Sequence, residues 1–169
     1  MANDIFEYSV PAFLRGHKVL GDILRAGEKH ADERKIAPSV LLGARLFPDM
    51  FPLTGQVRAA CDTAIRTTAR LVGKEPPQSE DADTTFAALY GRIRKASEFV
   101  EGHRADAFAG AENRTVAFKM GPAEISWSTR EYLTRFSLPN FYFHVTTAYD
   151  ILRHNGVVLG KRNYLGDLS

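Results

Sequence analysis

Phe6, Val10, Phe13, His17, Leu20, Leu24, Gly27 and Ala31 recur at intervals of four and three, the spacing that stacks side chains on one face of an α-helix. The row predicts one long helix from about Asn3 or Asp4 to about Arg34. Such a helix is held in water chiefly by packing its apolar stripe against a neighbour, not by intrinsic propensity. The chain must therefore supply other helices, and three more segments carry the same period. Helix two, Leu53 to Val72, turns Leu53, Val57, Ala60, Ala64, Thr68 and Leu71 inward and ends on Gly73. Helix three, from Asp83 or Thr84 to Val100, turns in Phe86, Leu89, Ile93, Ala96 and Val100. Helix four carries Leu133, Phe136, Phe141, Val145, Ala148 and Leu152 and ends on Gly156 as a left-handed cap. A chain of 169 residues accommodates these in one domain, residues 1–169.

The connections have their own signals. Ser39 to Phe47, between prolines, predicts one or two helical turns across an end of the bundle, followed by a turn at PDMFP in which Asp49 suits the amino terminus of helix two. The polar stretch between Gly73 and Asp83 reaches about 30 Å when extended, enough to join two parallel helices. Val116, Phe118 and Met120, the pair Gly121 and Pro122, then Ile125 and Trp127 alternate with period two and predict a small β-hairpin anchored by Phe118 and Trp127. Ser128 and Glu131 spell a reciprocal cap that starts helix four, and Pro139 should bend that helix. In the tail, Val158, Tyr164 and Leu165 are expected to pack along the bundle.

Composition excludes several classes. A single cysteine, Cys61, rules out an internal disulfide and a thiolate zinc cluster. A net charge of +2 gives no footprint for nucleic acid, and Arg66, Arg70, Arg92, Arg94 and Lys95 fall at the spacing of solvated helix faces. No apolar run approaches the ~20 residues of a membrane span. The start, MANDIFEY, lacks the pattern of a secretory signal, so a cytoplasmic protein is expected. Nucleophile elbows, phosphate-cradling glycine loops and paired-histidine zinc motifs are all missing.

What remains is a polar row. Asn140, His144, Thr147 and Ile151 flank the apolar face of helix four, and Gln56 in the first turns of helix two can point into the same end of the core. His17 reads as a core histidine satisfied by one hydrogen bond, His103 as an exposed or capping residue, and His154 as a cation at a helix end. His144 is thus the best candidate ligand, with Asn140, Gln56 and Asp49 as neighbours.

The segments ARLFPDMFPL, QVRAACD and LPNFYFHVTTAYDILRHNGVVLGKRNYLG resemble a bacterial domain-of-unknown-function family, numbered nineteen ninety-three, of the DinB/YfiT-like superfamily. The resemblance covers nearly the whole chain. It implies an all-α, up-down-down-up four-helix bundle with the crossover between helices two and three and, in this chain, a small β-hairpin between helices three and four. It also implies dimers in some members. In metal-binding members one histidine comes from helix two and a pair spaced by four from helix four. His144 matches the second of that pair, Asn140 stands in place of the first, and only Gln56 and Asp49 lie near the helix-two position. Two imidazoles are therefore replaced by amides or oxygen, which weakens any hold on nickel or zinc. The expectation is a polar pocket around His144 that takes a small molecule or serves the fold without the full metal triad. The alternatives are a divalent-metal-dependent enzyme, a thiol transferase or hydrolase in type, and a dimeric interaction scaffold. The expected partners are a small-molecule ligand and a second copy of the chain; no cofactor is required.

Overall fold

The structure, a computed structural model, describes residues 4–78 and 83–166. Helix α1 spans Asp4–Arg34, α2 Pro38–Gly43, α3 Leu53–Leu71 and α4 Phe86–Glu101. Two 3-10 turns lead into strands β1, Thr115–Met120, and β2, Ala123–Ser128. A short turn α5, Thr129–Glu131, and a π-helical turn, Tyr132–Ser137, precede α6, Leu138–His154, and α7 spans Lys161–Leu165. The start at Asn3 and residues 79–82 of the connection lie outside the described residues.

Side-chain pairings fix the helix directions. His17 meets Ser97 and Glu28 meets Tyr90, so α1 and α4 run antiparallel. Gly16 lies against Phe141 and Gly27 against Leu152, so α1 and α6 run parallel. Gln56 meets His144 and Thr63 meets Asn140, which sets α3 antiparallel to α6. The order is therefore up-down-down-up, with α3 and α4 parallel and joined by the crossover. Arg92 of α4 clamps that crossover, reaching Asp62 on α3 at 3.4 Å and Asp83 at the end of the connection.

The core fills the space between the four long helices with Phe13, Leu20, Leu24, Val57, Leu89 and Phe141, all fully buried. Close approach of α1 and α6 depends on a missing side chain: a Cβ built on Gly16 would stand 2.3 Å from Phe141 Cε1. His17 is in that core, 1% exposed. Ser97 Oγ donates to the Ile93 carbonyl at 2.9 Å and accepts from His17 Nδ1 at 3.1 Å, while His17 Nε2 is buried without a partner among the described residues. Burial pushes the imidazole down to about 4, because a desolvated cation is the disfavoured form.

The hairpin pairs Thr115 with Ser128 through Met120 with Ala123. Phe118 is its anchor, packing on Trp127, Tyr132 and Phe136. Ser128 and Glu131 make the reciprocal cap, Ser128 Oγ accepting from Glu131 N and the Glu131 carboxylate from Ser128 N, each at 3.3 Å. The Ser128 hydroxyl, which also donates to the Glu131 carboxylate at 2.9 Å, and then the Ser128 N–H hold that carboxyl below its usual range.

Local details depart from expectation for physical reasons. Helix four is not one bent α-helix; a π turn ends at Ser137 and Pro139 falls in the first turn of α6, where a missing N–H leaves fewer bonds unmade. Helix three starts later, at Phe86, because the Thr85 side chain accepts from Ala88 N at 3.1 Å and caps it. Asp49 does not cap α3: it is exposed in the preceding turn, and Pro52 holds the cap position. The short helix stops at Gly43, with Leu41 and Leu42 buried, and Ala44 is extended. In the tail Val158 is 88% exposed while Val157 and Leu159 are buried, the alternation of an extended segment. Tyr164 packs on Tyr149 and bonds Thr146, as a packed tail requires. Among the described residues, no helix is long and apolar enough to cross a membrane.

Candidate functional site

Antiparallel pairing of α3 and α6 brings Gln56, Thr63, Asn140 and His144 to one seam. Gln56 is 1% exposed and sits behind the histidine. Its Nε2 donates to the Phe51 carbonyl at 3.1 Å, and its Oε1 faces His144 Nδ1 at 2.8 Å. A carbonyl can only accept, so the Phe51 oxygen fixes the amide with its nitrogen outward and its oxygen on the imidazole. The oxygen in turn requires a proton on Nδ1. Nε2 of neutral His144 is then the lone-pair nitrogen. It has no partner among the described residues and is not one of the enclosed unpartnered atoms, so it keeps access to the space in front of it. Burial lowers the His144 pKa, which favours this neutral form.

That space is an open cleft of about 550 Å³ whose walls include Arg58, Asp62, Thr63, Arg66, Asn140 and His144. Phe51 also lines it, its ring lying near-parallel to the imidazole at 6.3 Å between centroids. Phe143 stands edge-on to the imidazole at 5.3 Å between centroids. Thr63 Oγ1 donates to the Ala59 carbonyl at 2.7 Å and accepts from Asn140 Nδ2 at 2.8 Å. Asn140 Oδ1 is left without a partner among the described residues. His144 and Asn140, each with an acceptor atom left over, therefore line a cleft that also carries Arg58, Arg66 and Asp62.

Of the four sequence candidates, the structure unites three. His144 and Asn140 line the cleft, Gln56 supports it from behind, and Asp49 is not among its lining residues. This donor set does not fit the metal that the superfamily resemblance implies. Gln56 Oε1 is turned to the histidine N–H, Asp49 is not among the lining residues, and the lining carries Arg58 and Arg66 against the single carboxylate of Asp62. Among the described residues, no three His, Cys, Asp or Glu side chains are grouped to hold an ion. Periodicity could have found two residues that the candidate list omits: Thr63 and Arg66 follow Gln56 by seven and ten positions, on or near its helical face.

Comparison with known proteins agrees with this architecture. The family described as "Domain of unknown function (DUF1993)" matches residues 5–165. A crystal structure of a DinB family member protein from Shewanella denitrificans superposes with a TM-score of 0.89 at 37% sequence identity, covering 98% of this chain and 93% of that one. No curated protein matches the chain. A full-length family match and a fold shared at that identity have one reading: the chain belongs to the DUF1993 family of DinB-like helical bundles.

Proposed function

We propose that the α3–α6 cleft binds a small polar molecule through His144 Nε2, which acts as a neutral hydrogen-bond acceptor. The observation that carries this reading is the Gln56 amide, locked by the Phe51 carbonyl at 3.1 Å and dictating the imidazole tautomer at 2.8 Å. Unlike His17, whose outward nitrogen is enclosed in the core, His144 lines an open cleft. With Asn140 Oδ1 beside it, the site presents two acceptors, so it suits a ligand bearing hydroxyl, amine or thiol donors. The Phe51 ring offers such a ligand an apolar face.

The test is nitrogen-15 spectroscopy of labelled histidine at neutral pH, combined with a fragment screen. Wild type should show Nε2 unprotonated, and donor-bearing fragments should shift the His144, Thr63 and Asn140 signals together. Gln56→Leu should lose the tautomer preference and weaken those fragments. An Nε2 that carries the proton in wild type would overturn the reading. One divalent ion per chain in protein purified without chelators, lost in His144→Ala, would replace it with the metal-dependent alternative.

A further inference from the structure

Resting on the reading of the His144 cleft as a ligand site, we infer that the trough between α3 and α4 is its anion subsite, binding the carboxylate or phosphate of the same molecule. This trough, about 500 Å³, shares Asp62, Arg66 and Gln78 with the His144 cleft, so the two are neighbours.

Charge supplies the first argument. Among the described residues, the two clefts together are lined by four cations, Arg58, Arg66, Arg92 and Lys95, against two carboxylates, Asp62 and Asp83. Both carboxylates are engaged by Arg92, whose side chain is 12% exposed. Arg66 and Lys95 themselves make no ion pair among the described residues. A guanidinium and an ammonium from two parallel helices face one trough, and both carboxylate and phosphate satisfy such a pair.

Gly91 supplies the second. It lies within α4, one turn before Lys95, where glycine costs about 0.5–1 kcal/mol relative to alanine. A Cβ built there meets no atom within 4 Å. No close helix approach demands this glycine, unlike Gly16 and Gly27, whose built Cβ atoms collide with Phe141 and Leu152. What its missing side chain does is leave open space in the wall of the trough that Arg66 and Lys95 also line.

The experiment is a heteronuclear NMR titration of the intact protein with inorganic phosphate and, separately, acetate, at constant ionic strength. We expect saturable millimolar binding that moves the Arg66, Gly91 and Lys95 signals; the anion that saturates at the lower concentration identifies the group. The double variant Arg66→Ala, Lys95→Ala should weaken it by about tenfold. Gly91→Leu, which removes no charge, should weaken it while leaving the melting temperature unchanged or higher. Uniform, non-saturating shifts, wild-type affinity in the double variant, or wild-type affinity in Gly91→Leu would each overturn the subsite. The histidine nitrogen signals report on the main cleft separately. Anion binding with a protonated Nε2 keeps the subsite and removes the donor-ligand reading, whereas a lone-pair Nε2 without an anion response removes the subsite alone.

Discussion

His17 makes the fold acid-sensitive, and the size of the effect follows from its burial. The unfolded chain protonates this side chain near its ordinary value of 6.5, while the native imidazole stays neutral down to about 4. Below the upper value the unfolded state therefore binds a proton that the native state refuses, and native stability falls as pH falls. Each proton of difference is worth about 1.4 kcal/mol per pH unit. Integrated from about pH 7 to about pH 5, above the range where most carboxylates titrate, the loss is about 2 kcal/mol. His17→Asn keeps an N–H for Ser97 and cannot be protonated. Its cavity lowers stability by a constant amount, but the pH-dependent part should vanish. The depressed His144 titration acts with the same sign in both proteins and cancels in the difference. Urea unfolding followed at several pH values between these limits reads it directly. If wild type and His17→Asn lose stability in parallel, His17 protonates in the native core and the account of its burial is wrong.

Two further substitutions probe the packing and the crossover. Gly16→Ala places a methyl inside the Phe141 ring contact, 2.3 Å from Cε1, so it should cost about 1–3 kcal/mol through overpacking, read as a lower urea midpoint; a neutral result would mean that α1 and α6 separate freely. Arg92→Ala removes the guanidinium that pairs with the Asp62 and Asp83 carboxylates, whose side chains are only 15% and 13% exposed, and should cost about 3 kcal/mol. A loss below about 1 kcal/mol would place that cluster with ordinary surface ion pairs.

The long helices were legible because one period dominates each of them: apart from Phe6, which is only half-buried, the inward rows of helices one to three are buried in α1, α3 and α4. The parallel arrangement of α3 and α4 was legible only as a permission, from the reach of the connection. The π turn was not legible, since a wider turn has no residue pattern of its own and Pro139 signalled only that the backbone must yield there. Asp49 misled because sequence proximity to a helix start says nothing about the turn between. Arg45 hydrogen-bonds the Met50 carbonyl, and Pro52 takes the cap position, leaving Asp49 on the outer side. Val158 misled for a simpler reason: three apolar residues in a row cannot all face inward from an extended chain.

The site was half legible, and the missing half changes its chemistry. An amide at position 56 and another at position 140 read, from sequence, as weakened copies of imidazole ligands. In the fold each has a different task. An imidazole supplies one lone pair or one donor at each nitrogen, whereas the Gln56 amide donates to the Phe51 carbonyl and accepts from His144 at once. That double bond pattern needs a side chain with both functions at one end, and it converts His144 from a ring free to choose its tautomer into one with an assigned outward lone pair. Asn140 repeats the logic, spending its N–H on Thr63 and keeping its oxygen. Two amides thus aim two acceptors into a cleft that also carries Arg58 and Arg66. Acceptors beside cations are a poor cage for a metal and a good match for a molecule that carries a donor at one end and an anion at the other.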